Sequence, residues 1–206
     1  MISKDQISGL ILAGGRGMRM GGVNKGLQIL RNEPMVAHVL RRLAPQLGQI
    51  SINANQDLDL YEQFGCPVIS DVFSGYAGPL AGLHAGLTSC STAYLATVPC
   101  DSPFLPTDLI MKLAQSMQNE QAQLAVAVTP ASPGEERHWQ QQPVFCLVKS
   151  ELKSHLASFL SQGGRKVSDW YADLHIVEVP FTDIADFRNI NTRAELEEHT
   201  FDQGKV

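Results

Sequence analysis

A chain of 206 residues that is 44% hydrophobic and 18% charged can bury a sizeable core, and its length predicts a single domain over residues 1–206. The formal charge of −5 excludes a protein held on nucleic acid by bulk positive charge. Cys66, Cys90, Cys100 and Cys146 form no C-x-x-C pair, which argues against a disulfide framework or a cysteine zinc site and predicts reduced thiols in the cytoplasm. The first apolar run is broken at Gly14, so no signal peptide is expected. No apolar run approaches the ~18 residues of a membrane span, so no membrane partner is expected either.

In chain order, ISGLILA (7–13) reads as the first strand. Between Leu10 and Leu30 come six glycines together with Arg16, Arg19 and Lys25. A helix is predicted over 34–48, where Met35, Val36, Val39, Leu40, Leu43 and Leu47 recur at helical spacing and Pro45 disturbs the end. Strands follow at 50–55 and 66–70. Gly78, Gly82 and Gly86, four residues apart, share a face if that segment is helical. A strand at 93–98, a helix at 106–117 and a strand at 124–129 come next. Residues 130–142, polar with two prolines and a glycine, read as a mobile surface loop. The chain continues with a strand at 143–148, a helix at 150–160 and a strand at 174–179, and a last helix opens with the capping box Thr192-Arg-Ala-Glu195. Several strands are apolar throughout, as strands covered on both faces are. Strand and helix alternate, and this predicts a three-layer α/β/α sandwich.

The glycine-rich loop follows a strand, and in open α/β sheets ligands lie at the carboxyl ends of strands. Glycines let backbone N–H groups approach a ligand, and three nearby cations suit clustered negative charge such as a triphosphate. A P-loop is excluded, because Asn24 precedes Lys25 and Gly26 follows it. The dinucleotide fingerprint is excluded because Met20 occupies its third glycine position.

The stretch Leu12-Ala13-Gly14-Gly15-Arg16-Gly17-Met18-Arg19-Met20-Gly21 with Lys25 resembles the opening signature of nucleotidyltransferases. The chain is most similar to the molybdenum cofactor guanylyltransferase family within them. The similarity continues in MGGVNKGL (20–27), Asn53-Ala54-Asn55, Asp71, Gly78 to Gly82, PCDSPFLP (99–106) and Asn189-Ile190-Asn191-Thr192, and is weakest between 130 and 175. The resemblance implies a Rossmann-like nucleotidyltransferase fold with a mainly parallel sheet. It implies Mg²⁺-dependent transfer of GMP from GTP to molybdopterin, with or without molybdenum bound, and release of pyrophosphate. Catalysis would fall to Arg19, Lys25 and Asp101. The nucleotide would be bound by Leu12, Ala13, Gly14, Gly15, Lys25, Asn53, Asp71, Gly78, Pro79, Leu80 and Asp101. Mg²⁺ would be held by Asp101, with Asn191 beside it. Expected partners are cofactor-delivery proteins and chaperones of target molybdoenzymes, with the chain itself a monomer.

On its own position, Asp101 reads equally as a metal ligand after a strand or as a helix N-cap. Asp71 can accept from guanine or ribose, or simply close a turn. Asn53 can donate and accept at a nucleotide, or finish its strand. Gly78 suits nucleotide proximity and Gly86 close packing. Arg137-His138 and Arg165-Lys166 could meet the pterin phosphate or be solvated. None of the six histidines has H-x-x-x-H spacing, so a histidine metal site finds no support. Two other readings stay open: a cytidylyltransferase acting on molybdopterin or on a sugar or isoprenoid phosphate, and a nucleotide-binding regulatory module without chemistry.

Overall fold

The computed structural model describes residues 1–14, 24–73, 78–132, 134, 138–192 and 194–196. Nine strands are described: β1 (Ile7–Leu12), β2 (Ile29–Leu30), β3 (Glu33–Pro34), β4 (Gln49–Asn53), β5 (Val68–Ile69), β6 (Tyr94–Pro99), β7 (Leu124–Pro130), β8 (Trp139–Lys149) and β9 (Ile176–Pro180). The α-helices are α1 (Met35–Leu43), α2 (Leu58–Glu62), α3 (Pro79–Ser89), α4 (Leu109–Asn119), α5 (Lys153–Ser161) and α6 (Val167–Tyr171).

Seven strands form one sheet in the order β5-β4-β1-β6-β8-β7-β9, while β2 and β3 make a separate antiparallel pair. Every pairing in the large sheet is parallel except those of β8, which runs antiparallel to both β6 and β7. All seven strands expected from the sequence are in this sheet. Alternate side chains go to opposite faces, as the pleat requires. Ile7 and Ile11 of β1 join α1 and α4 on one side, and Leu10 meets α3, α5 and α6 on the other. The result is the three-layer sandwich expected, with a mainly parallel sheet.

The helix expected over 34–48 stops at Leu43 and gives way to a 3-10 turn at Ala44–Gln46. Pro45 has no N–H for the helical ladder and crowds the carbonyl four residues back. The loop expected over 130–142 is shorter than predicted. Gln140, Gln141 and Gln142 pair with Thr129, Val128 and Ala127 as strand, following a register shift between Val126 and Ala127. This end of β8 is largely exposed, so its pairing needed no apolar residues.

Two glycines set how closely α3 approaches the sheet. A Cβ on Gly86 would lie 2.5 Å from Leu10 Cδ2 and 2.9 Å from Leu95 Cδ2, which bears out the packing reading of Gly86. A Cβ on Gly82 would collide with Asn53 Oδ1 and lie 2.6 Å from Leu12 Cδ2. With α3 seated this low, its N-terminus stands beside the carboxyl ends of β1 and β4. Among the described residues no helix is long and apolar enough to cross a membrane.

Candidate active site

The site is laid out by strand register. Leu12 is level with Asn53 of β4 and with Pro99 of β6, and Asn53 is level with Ile69 of β5. The segments beginning at Ala13, Ala54, Ser70 and Cys100 therefore leave the sheet side by side. This is the crevice at the carboxyl ends where open α/β sheets bind ligands.

One cluster lies beyond β6. Lys25 Nζ is 3.0 Å from Asp101 Oδ2 and donates to Asn191 Oδ1 at 2.6 Å. The lysine is provided by a 3-10 turn over Lys25–Leu27. Asn191 arrives on a segment bonded to the β6 exit, where Ile190 N donates to Asp101 O at 2.9 Å and Ser102 Oγ donates to Asn189 Oδ1. Leu30, Met35, Ile190 and Leu196 form a small apolar cluster that secures this segment. Glu195 Oε2 accepts from Asn191 N at 2.6 Å and from Thr192 N at 3.0 Å, and Thr192 Oγ1 accepts from Glu195 N, so the predicted capping box is present. These bonds hold the Glu195 carboxyl below the usual carboxylate range.

A second cluster lies beyond β4 and β5. Asp71 Oδ1 accepts from Asn53 Nδ2 at 2.9 Å, and Asp71 Oδ2 accepts from Asn55 Nδ2 at 2.8 Å. The backbone N–H of Asp71 donates to Asn55 Oδ1 at 2.9 Å, so Asn55 grips residue 71 at two points. Each carboxylate oxygen keeps a further lone pair for a ligand. Sequence reading placed Asn55 in a motif but not among the site residues. The available signal was its i+2 relation to Asn53, which carries both amides to the same side of an extended segment.

The structure thus brings together Lys25, Asp101 and Asn191, and separately Asn53 and Asp71. Ala13 and Leu80 bury their side chains in the core, and Leu12 packs half-buried against the α3 side of the sheet. Gly78 precedes α3 with φ +63° and ψ −153°, a conformation open to little but glycine, and Pro79 begins the helix where its missing N–H is not needed. Arg19 and Gly15 lie outside the described residues, as does Arg137. Asp101 does not precede the next α-helix; Asp108 does. Burial, reinforced by the charge of Asp101, pushes the Cys100 thiol far up, so it stays protonated and is no nucleophile.

Asp101 and Asn191 present one carboxylate and one amide oxygen to a single point, already favourable enough to a cation to hold an ammonium. Among the described residues no group of three or more acidic, histidine or cysteine side chains gathers elsewhere to hold a metal. A hard ion that takes one or two protein oxygens and completes its shell with phosphate and water suits such a donor pair.

This sheet order places a cation and two oxygen donors at its ligand edge, an arrangement suited to the phosphates of a nucleotide. The MobA-like NTP transferase domain model matches residues 9–176, and the chain belongs to that family. A molybdenum cofactor guanylyltransferase of Cupriavidus metallidurans is 54% identical over 199 residues, covering 97% of both chains. One from Ralstonia nicotianae is 53% identical over 198 residues, covering 95% of this chain and 97% of its own. Among solved structures, the molybdopterin-guanine dinucleotide biosynthesis protein A of Archaeoglobus fulgidus superposes with a TM-score of 0.75 at 20% identity, covering 97% of this chain and 100% of that one. The 4-diphosphocytidyl-2C-methyl-D-erythritol synthase of Anaerococcus prevotii shares the fold at a TM-score of 0.74 and 13% identity, covering 98% of this chain and 100% of its own.

Proposed function

We propose that this chain transfers GMP from GTP to the terminal phosphate of molybdopterin, releasing pyrophosphate and forming molybdopterin guanine dinucleotide. The observation that carries the reading is the convergence of Lys25, Asp101 and Asn191 beside the Asn53–Asp71–Asn55 cluster. It occurs in a chain more than half identical, along nearly its whole length, to proteins named for that reaction.

In this reading a phosphate oxygen of the pterin attacks the α-phosphorus of GTP, and the bond from the α-phosphorus to the bridging oxygen breaks, leaving pyrophosphate. That oxygen is already a competent nucleophile, so the protein contributes positioning and charge. Asp71, with its oxygens oriented by Asn53 and Asn55, accepts from guanine N1–H and the 2-amino group. The backbone of Leu12, Ala13, Gly14 and Gly15, with Gly78, Pro79 and Leu80, encloses the rest of the nucleotide. Asp101 and Asn191 would hold Mg²⁺, which would supply neutralisation of phosphate charge. Lys25, together with Arg19, stabilises charge on the transferring and leaving phosphates. The protein works in the cytoplasm as a single-domain monomer. It receives its substrate from cofactor-delivery proteins and passes its product to chaperones of target molybdoenzymes.

Pyrophosphate release tests this, with each of GTP, CTP and ATP, with and without molybdopterin. Release with GTP only, and only when the pterin is present, is expected. Preference for CTP would move the chain to the cytidylyltransferases, and binding without turnover would make it a regulatory module.

A further inference from the structure

Tyr61 lies beneath the turn that carries Lys25. It is fully buried, at 0% exposure, and belongs to α2, an element with no other part in the site. Its hydroxyl donates to Asn24 Oδ1, and Asn24 Nδ2 donates in turn to Asp57 Oδ2 at 3.3 Å. On the other side of the lysine, a Cβ on Gly26 would lie 2.6 Å from the Tyr61 hydroxyl oxygen and 3.2 Å from Cys100 Cβ and Sγ. One phenol oxygen therefore meets the chain on both sides of Lys25, and the next wall of the contact is Cys100, the neighbour of Asp101. Burial pushes the Tyr61 hydroxyl far above the ordinary tyrosine range, so it keeps the proton it donates to Asn24. A buried hydroxyl without a partner is costly, so this one is bound to residue 24. A phenylalanine would fill the same apolar space. It is the hydroxyl that bonds to Asn24 and comes closest to Gly26.

We propose that Tyr61 is a positioning residue for Lys25: its hydroxyl, through Asn24 and the close approach at Gly26, fixes the backbone from which the lysine reaches Asp101 and Asn191. This rests on the reading of Lys25 given under Proposed function. Lysine is a point charge on a flexible four-carbon stem, so its base must be held if its tip is to arrive in one place. A misplacement of ~1 Å in a catalytic arrangement can cost as much as ~10²-fold in rate.

The test is a double-mutant cycle of Tyr61→Phe and Lys25→Met, assayed for GTP-dependent pyrophosphate release with molybdopterin, with GTP binding and thermal melting alongside. Tyr61→Phe is expected to lower kcat about tenfold while KM for GTP and GTP affinity stay within about twofold. Lys25→Met should lower kcat further, and the double variant should be no slower than Lys25→Met alone, because Tyr61 then has nothing left to position. Asn24→Ala removes the acceptor of the same hydrogen bond and should reproduce the split. It carries the test should Tyr61→Phe fail to fold. Turnover within about twofold of the parent protein in both Tyr61→Phe and Asn24→Ala, with Lys25→Met impaired, would overturn the positioning role alone. An equal loss from Tyr61→Phe with and without Lys25 would also overturn it, since the hydroxyl would then act elsewhere. Normal turnover in Lys25→Met would overturn the reading of Lys25 and this proposal with it.

Discussion

Asp101→Asn should separate stability from turnover. The carboxylate and the Lys25 ammonium are 3.0 Å apart, with side-chain exposures of 11% and 26%. The pair is mostly buried and only the lysine reaches solvent, so leaving Lys25 without its counter-charge should cost ~1–3 kcal/mol, between the values for exposed and fully buried pairs. The asparagine oxygen can still accept from Lys25, and Asn191 Oδ1 keeps its own bond to the lysine at 2.6 Å. For a domain of this size 1 kcal/mol corresponds to ~2–4 °C, so Tm should fall by ~2–12 °C with the protein still folded. Turnover depends on the charge itself. Losing one preorganised electrostatic group costs ~10²–10³ in kcat, or about 2.7–4 kcal/mol. GTP affinity should change far less, because the Asn53–Asp71–Asn55 cluster does not touch Asp101. Three measurements decide: thermal melting, GTP binding by calorimetry, and pyrophosphate release across a Mg²⁺ titration. Near-normal kcat with an unchanged Mg²⁺ requirement would refute the reasoning and leave Asp101 as a structural partner of Lys25.

The remaining expectations concern base choice, packing and pH. Asp71→Ala should weaken GTP binding and shrink the preference for GTP over ATP, which a site built on those hydrogen bonds can hold at ~10⁴-fold, and competition binding would measure it. Gly82→Ala should cost ~1–3 kcal/mol in a melt and also raise KM for GTP, because the new methyl displaces Asn53 from Asp71, whereas the nearest neighbours of a methyl in Gly86→Ala are Leu10 and Leu95, so that variant should cost stability alone. Glu195 has a folded pKa below its unfolded one. Its stabilising contribution is therefore full above the unfolded value near 4.5 and is lost as pH falls through the folded value. The Tm gap between the parent protein and Glu195→Gln should accordingly be wider at pH 7 than at pH 3.

What could be read in advance depended on how local the signal was. Strands β6, β7 and β8 carry four or more consecutive apolar or β-favouring residues, and the capping box at Thr192 is complete within four residues. Helices α2 and α6 have five residues each, too few to show a 3.6-residue period, and β2 and β3 have two each. The Gln140–Gln142 strand was hidden because its side chains are exposed or half-buried and its pairing is made by backbone. In the site, the residue types were legible and their partners were not. Lys25 reads as a phosphate cation, yet it bonds to Asp101 and Asn191, 76 and 166 positions away. Tyr61 reads as one more core aromatic, and only its contact with Asn24 and Gly26 gives its hydroxyl a task.

The separation between Lys25 and Asn191 also bears on how the protein is made. At ~5–20 residues per second, on the order of ten seconds or more pass between synthesis of the lysine and of its last partner. All seven strands of the sheet are complete by Pro180, before that partner exists. A growing chain can thus close its sheet and assemble the Asn53–Asp71–Asn55 cluster while the phosphate end of the site still lacks its third member. Among the described residues, Asn189 to Thr192 is regular neither as helix nor as strand and is held to the β6 exit by the Ile190–Asp101 backbone hydrogen bond, the Ser102–Asn189 and Lys25–Asn191 bonds and the small cluster around Ile190. It is therefore also the part of the site expected to open first by local unfolding, well before the sheet melts. In amide exchange, Ile190 should lose protection earlier than β1 or β6, so that the competence of the site and the integrity of the fold are lost at different denaturant concentrations.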